Sequence, residues 1–223
     1  MKNFKILFTL ILTIAISSCG AQKKEFDPEY VKVTNERAQK IVDEMDLESA
    51  EKELEVRDLI AEQYRNLSWI QDGRDAKIEE IKNGSLSQAE KEKKIAKLQE
   101  EADEEIADLH EDYIEDLNEE LTAEQVVAVK DGMTYGVVPK TYASYLDMLP
   151  QLTEEQKEFI YSNLVEAREH AMDAGSSHQK HWWFNKYKGK ITNYLAAEGY
   201  DLKKAEEEWL ERIEARKKSE NQK

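Results

Sequence analysis

The chain has 223 residues, 48 of them acidic and 32 basic, giving a formal net charge of −16. So acidic a protein lacks the broad positive face that displaces counterions from nucleic acid, and anionic lipid surfaces repel it. Its one cysteine, Cys19, leaves no disulfide within the chain, and its length is enough for one good core or two small ones.

The N-terminus carries Lys2 and Lys5, then an uncharged apolar run of 11 residues from Ile6 to Ile16, then Ser17, Ser18, Cys19 and Gly20. A positive start, a short apolar stretch and small residues before a cut are the marks of a secretory signal. The run is well short of the roughly 20 residues that span a bilayer. Ile16-Ser17-Ser18-Cys19 resembles the lipobox of bacterial lipoproteins, in which the cysteine becomes the first mature residue and carries lipid. The expectation is a signal peptide over 1–18 and a lipidated tether over 19–27 that anchors the body to a membrane. Removing two lysines with the signal takes the formal charge to −18. The segment after Cys19 lacks the acidic run expected of a lipoprotein surface-export signal, so the expectation is a protein at the outer membrane facing the periplasm.

From Pro28 onward the sequence predicts an all-α protein. Prolines fall only at 28, 139 and 150, and no stretch alternates as a strand does. A first long helix, from about Ser49 to Lys82, carries Leu54, Leu59, Ile60, Leu67, Ile70, Ile78 and Ile81, with a bend or break expected near Asp72-Gly73. A second runs from Ser87 to about Glu120. Its Ile95, Leu98, Ala102, Ile106, Leu109, Tyr113 and Leu117 are spaced 3, 4, 4, 3, 4, 4, close to the helical period. Only Asn83-Gly84 and a few neighbours separate the two, so residues 28–120 read as a long antiparallel helical hairpin. Such long charged helices also admit a coiled-coil dimer, but the stripe lacks a strict heptad, which favours the hairpin.

Residues 121–215 read as a compact module of shorter helices. Thr122-Ala-Glu-Gln125 and Thr153-Glu-Glu-Gln156 are capping-box patterns, as are Ser87 and Glu90. The first helix of the module should end near Asp131-Gly132. Met133 to Pro139 is then non-helical, with room for a short extended piece, and helices follow over about 140–148, 154–172 and 178–197. Gly199 is placed to terminate the last of these, and Asp201 to cap a further helix carrying Leu202, Ala205, Trp209 and Ile213. Residues 216–223 read as a frayed tail.

One segment stands apart. From Ala174 to Ala197 there is no acid in 24 residues, although acids make up over a fifth of the chain. The window instead holds Lys180, Lys186, Lys188 and Lys190, His178 and His181, and Trp182, Trp183, Phe184, Tyr187 and Tyr194. Two readings stand. Aromatic faces can stack on sugar rings while lysines pair with carboxylate or sulfate, so the island could bind an acidic oligosaccharide. Alternatively Trp182, Phe184 and Tyr194 are core and the lysines a solvated face. The candidate ligand-binding residues are Tyr135, His170, His178, His181, Trp183, Lys186, Tyr187 and Lys188. No catalytic residue stands out: there is no HExxH, no G-x-S-x-G elbow and no phosphate-binding glycine loop. The histidines form no convincing metal signature, and neither a metal nor another cofactor is expected.

Lys130-Asp-Gly-Met-Thr-Tyr-Gly-Val-Val-Pro139, Tyr145-Leu-Asp-Met-Leu-Pro150, Ala167-Arg-Glu-His-Ala-Met-Asp-Ala-Gly-Ser-Ser177 and Trp183-Phe-Asn-Lys-Tyr-Lys-Gly-Lys-Ile191 resemble an uncharacterised Bacteroidetes family, domain of unknown function 3826. The resemblance implies an exported helical protein, often encoded near polysaccharide-degradation systems, and it supplies no catalytic residues. Leu121-Thr122-Ala-Glu-Gln125 and Leu152-Thr153-Glu-Glu-Gln156 are similar to the LTxxQ repeat of Spy/CpxP-like periplasmic chaperones. The expected function is a cell-envelope lipoprotein that binds an acidic oligosaccharide or an envelope protein, without catalysis, in polysaccharide utilisation. A periplasmic chaperone is the alternative, and a glycan-processing enzyme the third reading.

Overall fold

The computed structural model describes residues 25–220, and the expected signal peptide and the tether up to residue 24, with Cys19, lie outside them. The described residues form eight helices and no strand: α1 (Pro28–Val42), α2 (Ala50–Asn83), α3 (Gln88–Glu120), α4 (Ala123–Met133), α5 (Val137–Met148), α6 (Glu154–Met172), α7 (Ser177–Ala197) and α8 (Leu202–Glu220). No described helix is long and apolar enough to cross a membrane.

Local chemistry sets most helix ends. Asp27 caps α1, its carboxylate accepting from the Glu29 and Tyr30 amides at 2.8 and 3.3 Å, with Pro28 fixing the first helical φ. The Ser87–Glu90, Thr122–Gln125 and Thr153–Gln156 pairs all form reciprocal capping boxes. At the end of α7, Gly199 takes φ +93°, while the Tyr200 amide donates to Leu195 O and that of Gly199 to Ala196 O. This left-handed stop satisfies two carbonyls that the helix leaves open.

Three expectations need correction. First, α2 does not break at Asp72-Gly73. One glycine costs a helix interior only about 1 kcal/mol, and Ile70 and Ile78 are buried on either side of it. Second, 133–139 is neither extended nor mainly open. α4 runs through Met133, a turn of Thr134, Tyr135 and Gly136 follows, and α5 begins at Val137 with Pro139 in its first turn, where a missing amide costs nothing. Third, 216–220 is helical rather than frayed. Trp209 Nε1 donates to the Asp147 carboxylate at 2.7 Å and Arg216 donates to both its oxygens, at 2.9 and 2.7 Å. Arg212 reaches the Asp147 carbonyl at 2.9 Å, so α8 is clamped to the end of α5.

α2 and α3 lie side by side in opposed directions. Lys52 near the start of α2 pairs with Glu120 at the end of α3, and Lys91 at the start of α3 donates to the Lys82 carbonyl at 2.6 Å. Beyond the cores this pair is only two helices thick. Ile95, Leu98, Ile106 and Leu109 therefore stay half-buried although they share the predicted stripe, and Leu54 is 49% exposed.

Two hydrophobic cores follow. The first joins α1, α2, the end of α3 and α4 through Val42, Val56, Ile60, Leu117, Val129 and Met133. The second joins α5 to α8 around Leu149, Ile160, Leu164, Phe184, Ile191 and Leu195. Each fully buried side chain of this size contributes about 1.5–3 kcal/mol. α4 packs into the first core and α5 into the second, so the seam between the cores falls at the 134–136 turn. Met172 belongs to the first core and its neighbour Ala171 to the second, so the end of α6 lies on that seam.

Gly132 lets α4 approach α1. A Cβ there would lie 2.8 and 2.9 Å from the Ile41 Cγ2 and Cγ1 atoms, and Ile41 is itself buried. Gly132→Ala should therefore destabilise the fold by about 1–2 kcal/mol, the overpacking outweighing the gain in helix propensity; a urea midpoint equal to the parent's would contradict the tight crossing. Asp147→Ala should raise amide hydrogen exchange across 202–220 and leave α1 to α4 protected, which mass-spectrometric exchange would show.

Candidate functional site

α7 supplies most of the candidate residues, and its register divides them. Trp183, Lys186, Tyr187 and Lys190 recur at helical spacing along one stripe beside the last turn of α6. The His170 ring stacks on Trp183 with centroids 4.3 Å apart and planes 16° from parallel. Trp182 meets Trp183 edge-on at 4.9 Å and is 52% exposed. The Lys186 ammonium sits 4.5 Å from the Trp183 ring centre and 5.5 Å from that of Trp182, while Lys190 lies 4.1 Å over Tyr187. These cations ride on negative ring faces. The result is a solvent-facing ridge of flat rings under two ammonium groups.

Tyr187 is the base of this ridge rather than part of its surface. It is buried in the second core, and its hydroxyl donates to the Glu166 carboxylate at 2.8 Å. Burial, and then Glu166, push its pKa up to about 12, so it stays a neutral donor. The island thus follows neither sequence reading whole. Phe184 is core, Tyr194 is half-buried, and Trp182 projects into solvent.

Tyr135 and His181 form a separate pair, stacked with centroids 5.8 Å apart. Tyr135 holds φ +63°, a left-handed conformation that a bulky side chain adopts at a cost of about 1–3 kcal/mol. The turn over-determines it: the Gly136 amide donates to Asp131 O at 2.7 Å, the Thr134 hydroxyl to Lys130 O at 2.8 Å, and Lys140 Nζ to the Tyr135 carbonyl at 2.9 Å. His178 is exposed in the first turn of α7 and Lys188 is half-buried, and neither joins the ridge or the Tyr135 pair. Among the described residues no three His, Cys, Asp or Glu side chains gather as metal ligands.

Beside Tyr135 a cleft of about 1000 Å³ opens along the seam between the cores. Arg37 and Lys40 of α1, Tyr64 and Gln71 of α2, Lys140 and Lys180 all line it. Of these six the sequence marked only Lys180, as part of the acid-free window; the others are scattered over more than a hundred residues and carried no local signal. Burial pushes the Tyr64 pKa up to about 12 and lowers that of Lys180 to about 8, where Asp173 favours the charged form and Arg37 opposes it.

A polar network buttresses the α6–α7 corner from behind. Lys180 Nζ donates to the Ala171 and Met172 carbonyls, each at 2.9 Å, filling acceptors left open at the end of α6. Gln71 donates to the Asp173 carbonyl at 2.8 Å, and His110 Nδ1 lies 2.8 Å from the Asp173 carboxylate. Arg168, only 4% exposed, donates to Asp131 at 2.9 Å and to Glu169 at 3.3 Å, and Lys130 reaches Glu169 at 2.7 Å.

Fold and site together define an all-α protein that sets an aromatic-cationic ridge beside a cleft between two helical cores. The chain belongs to the family described as Protein of unknown function (DUF3826), which matches residues 31–215. No curated protein matches it. The segments that carry the resemblance at 130–139 and 167–177 form the two corners that bound the cleft.

The hydrogen bond from Asp173 raises the His110 pKa above its ordinary value, and burial opposes it. The folded state thus binds this proton more tightly than the unfolded chain. The stabilisation is fully present below the unfolded value of about 6.5 and is lost as pH rises through the raised folded value. His110→Gln should therefore flatten the fall of stability above about pH 6.5; denaturation midpoints across that range would test it, and an equally steep profile in the variant would exclude the pair as its source.

Proposed function

We propose that the protein is a non-catalytic binding protein of the cell envelope that presents the α7 ridge to acidic oligosaccharides in polysaccharide utilisation. The observation that carries this reading is the ridge: Trp182 and Trp183 with Lys186 over both rings, in a segment with no acid from 174 to 197. Sugar rings stack by their apolar C–H faces on such rings, and ammonium groups beside them meet a carboxylate or sulfate. The acid-free window matters because the rest of the chain repels anions.

Lipid on Cys19 would hold this body at the outer membrane on the periplasmic side. The tether is short, since the eight residues of 20–27 reach at most about 26–29 Å when extended. Captured glycan would then lie close to the membrane. An acylated Cys19 as the mature N-terminus, seen by mass spectrometry of the membrane fraction, is the expected result; any other terminus would remove the anchor from the reading.

Two observations favour binding over the other activities. A holdase needs a continuous apolar surface, whereas the large exposed apolar side chains Leu54, Trp69, Val127, Tyr135, Tyr161, Trp182 and Leu210 are dispersed over five helices and the 134–136 turn. Acid-base catalysis needs two poised groups facing a substrate. The cleft's carboxylates are Glu44 and Asp131, and Asp131 is committed to the buried Arg168.

Trp183→Ala and Lys186→Ala should each weaken binding of an acidic oligosaccharide about tenfold, equivalent to about 1.4 kcal/mol, with the helical circular-dichroism spectrum unchanged. Titration calorimetry against a panel of uronic and sulfated oligosaccharides would show it. Failure of the parent protein to bind any member would end the proposal.

A further inference from the structure

We propose that the cleft between the two cores is a second anion site, distinct from the ridge, which grips the charged end of a saccharide bearing a carboxylate or sulfate. It deepens the preceding reading and rests on it for the ligand class. Its residues and its test are separate.

The argument starts from charge. Four cations line the cleft: Arg37 and Lys40, one helical turn apart on α1, Lys140 on α5 and Lys180 on α7. In a chain where acids outnumber bases 48 to 32, none of these four forms an ion pair among the described residues, although Asp173 lies near enough to favour the charged form of Lys180. Lys140 donates to the Tyr135 carbonyl, and Lys180 donates to the Ala171 and Met172 carbonyls. Arg37 and Lys40 make no ion pair with any described acid, although mixed-sign pairs recur over the rest of the surface. Of the two acids at the cleft wall, Asp131 is already neutralised by Arg168. The cavity is therefore a pocket of net positive charge in a strongly negative protein. Such a pocket focuses the field on an incoming anion.

The shape and the neutral lining narrow the ligand. About 1000 Å³ is far too large for a bare inorganic anion and is the upper size of a small-ligand cleft. Tyr30, Tyr64 and Tyr135 also line the cleft, and aromatic rings stack on the apolar faces of sugars. Ser68, Gln71 and Ser176 lie on the same wall but are engaged within the protein, with Asp72, the Asp173 carbonyl and the Gln179 amide. The open amides at the start of α7, at Ser177 and His178, add the positive end of a helix dipole to the same wall.

Position also matters. Arg37 and Lys40 ride on the first core, whereas Lys140 and Lys180 belong to helices of the second. A ligand held by both pairs bridges the seam and stabilises the folded chain in proportion to its occupancy.

The test uses the purified full chain in titration calorimetry, with trigalacturonate as the carboxylate probe, a sulfated chondroitin disaccharide as the sulfate probe and maltotriose as the neutral control. One or both acidic probes should bind and raise the melting temperature, maltotriose should not, and the preferred probe identifies the anion. The double variant Arg37→Ala/Lys40→Ala removes two exposed side chains without touching either core, and it should weaken the bound probe at least tenfold. Lys140→Ala should weaken it as well. Unchanged affinity in the double variant, binding of maltotriose as tight as that of the acids, or no binding of either acid each overturns the cleft site. Binding that Trp183→Ala abolishes and the double variant leaves intact would also overturn it, while leaving the ridge in place. Binding that the double variant abolishes and Trp183→Ala leaves intact would sustain the cleft and refute the ridge.

Discussion

The corner between α6 and α7 is where the two cores are tied, and a buried ammonium holds it. Lys180 fills the open Ala171 and Met172 carbonyls, one from each core, at the negative end of the α6 dipole. A lysine buried this far loses hydration worth several kcal/mol. Two carbonyls, a helix C-terminus and the nearby Asp173 carboxylate offset that loss, while burial still draws its pKa down to about 8. Replacing the ammonium by an apolar end would take the partner from two carbonyls of buried residues, the costly half of the hydrogen-bond asymmetry. Gln71 on α2 and His110 on α3 reach the same corner through Asp173, so α2, α3, α6 and α7 share one polar joint. The cleft opens in front of this joint, and its geometry is only as fixed as the joint is.

What the sequence revealed follows from which interactions are local. The capping boxes at Ser87, Thr122 and Thr153, the glycine stop at 199 and the stripe on α3 each involve residues within a few positions of one another, and all of them form. The break considered at Gly73 does not occur, because a weak local preference lost to packing on both sides, through Ile70 and Ile78. The 134–136 turn was misread although the bonds that close it are local. Its glycine and proline suggested an open segment, but bonds to Lys130, Asp131 and Lys140, no more than five positions away, tighten it into three residues. A tail of charged residues reads as frayed until Asp147, some seventy positions upstream, is seen to hold it.

The candidate site was legible in the same measure. An acid-free window is a one-dimensional signal, so it located the ridge that a single helix builds. It could not locate the cleft, whose cations come from α1, α5 and α7 and whose α1 members sit among acids in the sequence. The window did mark Lys180, but for charge on a solvated face. Its actual place, buried against two carbonyls, depends on where α6 ends.

The helical register explains why ridge and cleft lie side by side. Each residue turns an α-helix by about 100°, so Trp183 points only about 60° away from Lys180 around the α7 axis, and one turn further on. Lys186 continues the same sense of rotation, while His181 leans back onto Tyr135 at the rim. A ligand stacked on Trp183 thus has its next unit directed along a face of α7 adjacent to the cleft, with no need to cross the helix. Exposure does not separate the two sets of cations. Arg37, Lys40 and Lys140 at the cleft are exposed, as are Lys186 and Lys190 on the ridge, so salt screens both sets, and only the buried Lys180 is shielded from it. The cleft differs from the ridge in bringing cations from α1, α5 and α7 to one wall, where the ridge takes all of its cations from α7.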